Sequence, residues 1–244
     1  MNVFRRIKVA VATPTIRRLL RRPGIFPLRE QLARKYLSGK GIEVGAMNAP
    51  LAVPETATVS YADWDFTPEL AATLTDGRSN SSPAITTDIE SMRGIEDGSQ
   101  DFIIANHVIE HVENPFRAVA SVMRVLRTGG IAFITLPDKR FTFDKKRALT
   151  PLDHLVRDYR EGPAWSLQGH YEDWAEHIDG LSVDEIEPRV AQLTSIRQEI
   201  HFHVWDHSTM ADMFAYLASL PEMSFDIEHS QFNRSEVIWI LRKR

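Results

Sequence analysis

"GIEVGAMNAPLAVP", residues Gly41 to Pro54, sets a short apolar run directly before a glycine and a loop bounded by prolines. An apolar run of this length flanked by turn residues reads as a buried strand. Its last residues, Glu43-Val44-Gly45, place a carboxylate just before a point where the backbone is free to turn toward a ligand. Only Gly45 is present in the loop, with Ala46, Met47 and Asn48 after it. The G-x-G-x-x-G spacing that brings backbone amides against a pyrophosphate is absent, which disfavours NAD, and a P-loop is likewise missing.

A helix pattern precedes this strand: "PLREQLARKYL" carries Leu28, Leu32 and Tyr36 at four-residue spacing and stops at Ser38-Gly39. After it, "ATVSYAD" (57–63) reads as a second strand and "TPELAATL" (67–74) as a helix opened by Thr67 and Pro68. "PAITTD" (83–88) and "DFIIAN" (101–106) read as further strands, the latter led in by the turn Asp97-Gly98. Asn114-Pro115 opens a helix with Phe116, Val119, Ala120, Met123 and Leu126 on one face; Gly129-Gly130 is expected to end it before the strand "IAFITLP". Such alternation predicts a doubly wound parallel sheet.

Beyond Pro137 the rhythm changes. "LDHLVRDYR", "HYEDWAEHI" and "VDEIEPRVAQL" are helix-like and too long for a loop, so residues 138–200 are expected to form a helical lid inserted in the domain. "STMADMFAYLASL" (208–220) is an amphipathic helix expected to be capped by Ser208, and "MSFDIEH" and "EVIWILRK" close the chain as paired strands. The predicted fold is therefore α/β: a doubly wound, Rossmann-like sheet of seven strands, mostly parallel, with an antiparallel C-terminal hairpin. The expected organisation is a basic arm, residues 1–26, followed by one domain over 27–244.

With 244 residues, 43% of them hydrophobic, the chain can bury a full core. It has no cysteine, which excludes disulfides, thiolate zinc sites and a cysteine nucleophile. Residues 1–40 carry eleven Lys/Arg against Glu30 alone, leaving the rest at net −14. An acidic body is a poor partner for nucleic acid; the arm alone suits a polyanion or an anionic membrane surface. No apolar run in it approaches the roughly 20 residues of a bilayer span, and "VAVAT" is too short for a cleavable signal. The expected location is the cytoplasm, either with the arm as a loose leader or with peripheral membrane contact through it.

In a doubly wound sheet, ligands sit at the carboxyl ends of the strands. The residues there are Gly45, Asp63, Asp88, Asn106 with His107, and Pro137 with Asp138. Asp63 lies twenty residues after Glu43, where a carboxylate reaches the two hydroxyls of a ribose bound over the first loop. Asp88 could accept from an exocyclic amine such as that of adenine. Together these residues describe an adenosine site.

"GIEVGA", "YADWD", "TTDIESM", "DFIIANHVIEHVENP" and "VLRTGGIAFITLPD", in this order and spacing, resemble the motifs of class I S-adenosylmethionine-dependent methyltransferases over residues 41–137. More narrowly, "GIEVGAMNAPL", "PDKRFTFDKKR" and "HFHVWD" are similar to the type-11 methyltransferases associated with bacterial surface-polysaccharide and glycan biosynthesis. The resemblance implies S-adenosylmethionine as cofactor. It sets Glu43, Gly45 and Ala46 at the methionine moiety, Asp63 on the ribose, Trp64, Asp88 and Ile89 around the adenine, and Asn106 with His107 near the sulfonium, with Met47 also among the cofactor-binding residues. Met47 and Ala49 stand where the family has glycines; a sulfonium amino acid brings one carboxylate and no pyrophosphate, so the departure is tolerable.

The histidines leave several readings open. "HVIEH" (107–111) also fits the H-x-x-E-H zinc-peptidase pattern, which needs a long helix that Asn114-Pro115 forecloses. His107 reads as a base or wall of the acceptor pocket or as a structural histidine, and His111 as structural. In "HFHVWDH" (201–207), alternation sets His201 and His203 on one face, followed by Asp206 and His207. That group could bind a divalent metal, deprotonate a hydroxyl, or line a polar pocket with Asp206 as a helix cap. No residue is assigned as a metal ligand. Asp138 is the carboxylate best placed after the fifth strand to orient an acceptor. Lys139, Arg140, Lys145, Lys146 and Arg147 form either an anion-steering patch or a solvated loop.

The expected activity is transfer of a methyl group to an oxygen, less readily a nitrogen, of a small-molecule or glycan acceptor, with His107, Asp138, His201 and His203 as candidate catalytic residues. The alternatives are a non-catalytic binding protein on the same fold and a metal-dependent hydrolase built on the histidines.

Overall fold

The computed structural model describes residues 26–46, 49–64 and 81–244. The basic arm, Met47, Asn48 and the helix expected over 67–74 lie outside the described residues.

Seven strands form one sheet: β1 Gly39–Val44, β2 Ala57–Asp63, β3 Ser81–Thr86, β4 Gln100–Asn106, β5 Leu126–Pro137, β6 Phe225–Asn233 and β7 Glu236–Lys243. Their order is β3-β2-β1-β4-β5-β7-β6, with β7 antiparallel to both β5 and β6 and every other pairing parallel. The predicted sheet, seven-stranded and mostly parallel with an antiparallel C-terminal pair, is thus observed.

The middles of the central strands, Phe102–Ala105, Ile131–Ile134 and Val237–Leu241, are apolar because both of their faces are covered. Phe102 and Ile104 of β4, Ile131 and Phe133 of β5, and Ile238 and Ile240 of β7 pack under α1 (Phe26–Tyr36), against Leu32, Ala33 and Leu37. The alternate residues Ile103, Ala105, Ala132, Ile134, Val237 and Trp239 meet α2 (Pro115–Val125) and α6 (His207–Ser219) through Phe116, Val119, Val122, Met213, Phe214 and Leu217. Period-two alternation along each strand thus feeds two cores at once. Gly41 is needed where β1 lies close against β4, since an added Cβ would come within 2.3 Å of the Phe102 ring.

Between β5 and α6 lie α3 (Leu152–Glu161), α4 (Leu167–His177) and α5 (Val183–Ile196). They carry a small core of their own, in which Tyr171, Val190 and Leu193 meet Ile200 and Phe202. The segment 200–205 then runs back beside the end of β5: Phe202 N donates to Glu110 O (2.8 Å), Val204 O accepts from Thr150 N (2.8 Å) and Trp205 O from Lys139 N (2.8 Å).

Some boundaries differ from the predicted ones. Helix α2 ends at Val125, well before Gly129-Gly130, because Leu126 is extended (ψ 138) and pairs with Gln100. Leu126 is buried either way, so the helical period masked the change. The cap of α6 is Asp206, not Ser208: its carboxylate accepts from Thr209 N (2.9 Å), and the Thr209 hydroxyl accepts in return from Asp206 N (3.0 Å). β3 begins two residues before the expected strand, and β6 runs on to Asn233. Among the described residues no helix links β1 to β2, and none is long and apolar enough to cross a membrane.

Candidate active site

Register aligns the strand ends. Val44 is paired with Ala62 on one side and Ala105 on the other, so Gly45, Asp63 and Asn106 stand side by side one residue further on. The order turns between β1 and β4, which is where a doubly wound sheet opens its binding crevice. Gly45 is at φ +65, and a Cβ there would lie 2.9 Å from Val108 Cγ2, so the turn and the space above it both call for glycine. Ala46 keeps the next position small and buried.

Each predicted cofactor residue has a definite setting. Glu43 is buried and accepts the Leu51 amide on both oxygens (2.9 and 3.1 Å), which folds the first loop back over β1. Asn106 takes the Thr135 hydroxyl on Oδ1 (3.1 Å) and puts Nδ2 3.4 Å from Glu43. Asp63 is partly exposed at the end of β2, and Trp64 beside it is 59% exposed, uncommon for so large an apolar side chain. Asp88 is exposed and holds its own turn, accepting from Ser91 N (2.8 Å) and Ser91 Oγ (2.6 Å), while Ile89 is buried.

His107 departs from β4 at φ 54, a left-handed backbone that is rare outside glycine. Its ring bridges two buried carboxylates, with Nδ1 3.1 Å from Glu110 and Nε2 2.8 Å from Glu236. Glu236 also accepts from Asn233 Nδ2 (2.8 Å) and takes a two-pronged bond from Arg29 of α1, one prong Nε to Oε1 at 2.8 Å. Arg29, Glu236, His107 and Glu110 thus alternate in sign. Burial opposes the charge on His107, but the two carboxylates outweigh it and raise its pKa to about 9. Burial likewise works against Glu236, yet His107 and Arg29 pull it down to about 2. His107 is therefore an imidazolium at neutral pH and has no lone pair with which to take a proton, contrary to the expectation of a base.

Residues 40–134 match the model of the methyltransferase domain. A possible histamine N-methyltransferase of Thermotoga maritima has a similar structure: 16% identity, TM-score 0.52, covering 93% of this chain and 92% of that one. So does an S-adenosylmethionine-dependent methyltransferase of Methanosarcina mazei, with 12% identity, TM-score 0.50 and coverage of 86% and 95%. No curated protein sequence matches the chain. The fold is that of the S-adenosylmethionine-dependent methyltransferases. The cofactor it indicates is S-adenosylmethionine, and the Gly45 turn beside Asp63 and the small Ala46 is a setting such an adenosyl amino acid fits.

On this methyltransferase fold the expected histidine group divides in two. His201 is 6% exposed, with Nδ1 2.8 Å from Asp144 Oδ2. Asp144 is fixed in turn by Arg147 (2.8 Å) and by the Thr142 hydroxyl (3.2 Å); burial disfavours its charge, but His201 and Arg147 hold its pKa below the usual range. His203, two residues on, belongs instead with His154, Asp158 and His170. Burial first, and neighbouring imidazoles second, lower the pKa of His170 to about 4 and that of His203 well below its ordinary value. Asp206 caps α6, and His207 lies edge-on to Trp239 (5.8 Å), so neither joins a ligand set.

Asp138 is not available as a base. It is fully buried and accepts from Arg140 N, Nε and Nη2 and from His207 N; burial works against its charge, but these bonds hold its pKa below the carboxylate range. The basic patch is largely spent internally: Arg147 is 1% exposed between Asp144 and Asp173, and Lys139 donates to the Arg147 carbonyl. The H-x-x-E-H pattern forms no metal pair, because His107 precedes a single 3-10 turn (Ile109–His111) and the His111 ring turns to Ile200 O (3.1 Å). Asp144, Glu236 and Arg29 carry no sequence signal because His201, His107 and Glu236, their partners, lie far along the chain; Glu110 is only three residues from His107 and stood in the H-x-x-E-H pattern, where it was not read as the partner of His107.

Proposed function

We propose that the chain is an S-adenosylmethionine-dependent methyltransferase that methylates a hydroxyl of a sugar or glycan-type acceptor, with His201 as general base and Asp144 as the group that orients it. The observation carrying this reading is the 2.8 Å Asp144–His201 pair. A carboxylate on Nδ1 fixes the tautomer whose Nε2 has a free lone pair, the arrangement a base needs. Glu110 links that ring to the crevice, since it bonds His107 at the end of β4 and lies within 4.8 Å of the ligand atoms of His111 and His201.

The cofactor would lie over Gly45, Ala46 and Met47, with Asp63 on the ribose, Trp64, Asp88 and Ile89 about the adenine, and Asn106 and His107 toward the sulfonium. When bound, it supplies a methyl group activated by the positive sulfur, and the bond to sulfur breaks as the one to oxygen forms. His201 Nε2 accepts the hydroxyl proton, while Phe143 (4.6 Å from the His201 ring) and Trp174 (6.5 Å) give apolar walls for the acceptor and help exclude water. Helices α3 to α5 act as the lid, residues 138–200, over the acceptor. In this reading the enzyme works in the cytoplasm in surface-glycan synthesis, with its basic arm at the membrane. Mass spectrometry of cell-surface glycans with and without the gene for the chain tests it: one methyl group per repeating unit is expected to disappear, and an unchanged glycan profile would remove the sugar acceptor.

A further inference from the structure

We propose that His154, Asp158, His170 and His203 form a binding site for one divalent transition-metal ion of the zinc class. The inference goes beyond the methyltransferase reading and does not depend on it. The four side chains come from three elements: His154 and Asp158 lie one turn apart on α3, His170 is on α4, and His203 is on the segment 200–205. Their ligand atoms all lie within 4.8 Å of one another. His154 Nε2 is 3.2 Å from His170 Nε2 and 3.1 Å from Asp158 Oδ2. Four ligands about 2.0–2.1 Å from a tetrahedral ion are separated by about 3.4 Å, so the group needs little adjustment to close around one.

Two buried atoms point the same way. His203 Nδ1 has no hydrogen-bond partner among the described residues although His203 is 1% exposed, and Asp158 Oδ2, on a fully buried residue, faces only His154 Nε2, at 3.1 Å and without hydrogen-bond geometry. Buried polar atoms left so are uncommon, and a cation would satisfy both. Their other ends are already tied down as a metal site requires. His203 Nε2 donates to Glu113 O (3.2 Å), which leaves the lone pair on Nδ1, and Asp158 Oδ1 accepts from Ser166 Oγ (2.9 Å). Three imidazoles and a carboxylate, without thiolate, suit zinc and its neighbours and not calcium or magnesium. A bound ion would clamp α3 and α4 to the segment that carries His201, and so hold that histidine in place without touching the reacting atoms.

The test uses the full chain. Purified without chelator it is expected to hold one zinc per chain, and after chelation cobalt(II) is expected to give the visible absorption of a tetrahedral site. Restoring metal at about a hundredfold above its Kd should raise Tm by roughly 5–10 °C. His170→Ala, at a half-buried position, should abolish the cobalt band and the Tm rise; Asp158→Asn, which keeps shape and volume, should weaken both and covers a folding failure of the first variant. Trace metal with no cobalt band in the full chain would overturn the proposal, as would a band that survives both variants. A band lost with His201→Ala but kept in His170→Ala would also overturn it, by placing the ion at Glu110, His111 and His201.

Discussion

His107 leaves β4 with a left-handed backbone that costs a non-glycine residue about 1–3 kcal/mol, and the bond pair to Glu110 and Glu236 is what holds it there. Its raised pKa, about 9, makes the network pH-dependent with a definite sign. The stabilisation is fully present below the unfolded value of about 6.5 and is lost as pH rises through about 9; Glu236, lowered to about 2, contributes above about 4.5 and loses its share as pH falls toward 2. Thermal melts should therefore decline from pH 6.5 to 9, by on the order of 3 kcal/mol at most. Glu236→Gln should be less stable at pH 6.5 and flatter across that window; a wild-type Tm level over the same range would refute the imidazolium assignment. At His201 the expected effects are catalytic. His201→Ala should lower kcat by roughly 10²–10⁴-fold with cofactor affinity unchanged, and Asp144→Asn should lower it too; equal turnover in the wild type and in His201→Ala would exclude that histidine as the base.

Among the elements, α2 shows how much of the fold was legible. Asn114-Pro115 announced its start, and the Asn114 side chain accepts from Arg117 N (3.0 Å). It also donates to the Asp158 carbonyl (2.8 Å), a tie to α3 that no local pattern reveals. Asn114→Ala should therefore cost about 1–2 kcal/mol, a fall in Tm of roughly 2–6 °C by calorimetry; a change under one degree would mean that neither bond contributes. The strands were legible for a related reason: burial on both faces gives them unbroken apolar runs bounded by glycine and aspartate. The strand-end residues followed from those boundaries. The pairing of the histidines did not, because Asp144 is 57 residues from His201 and Glu236 is 129 from His107, and spacing carries no information across such distances. His154 and Asp158, one helical turn apart in "LDHLVRDYR", were within reach of the sequence. Alternation in "HFHVWDH" misled, since two residues of extended chain span about 6.6 Å, enough to put His201 and His203 in separate groups.

On the scale of the molecule, the sheet order β3-β2-β1-β4-β5-β7-β6 brings Asp63, Gly45, Asn106, Thr135 and Glu236 to one edge. Arg29 of α1 is tied to that edge through Glu236, and segment 200–205 through Glu110, which bonds His107. The proposed methyl transfer to a hydroxyl uses the two ends of this crevice, Asp63 toward the ribose and the Asp144-oriented His201 toward the acceptor. Methyl transfer at this site requires the cofactor to bind first, and isothermal titration of the full chain with S-adenosylmethionine measures that binding. Saturable binding of one equivalent is expected, weakened by roughly 10–100-fold in Asp63→Ala through loss of the charged hydrogen bonds to the ribose. No binding at millimolar cofactor, or an affinity untouched by Asp63→Ala, would contradict it.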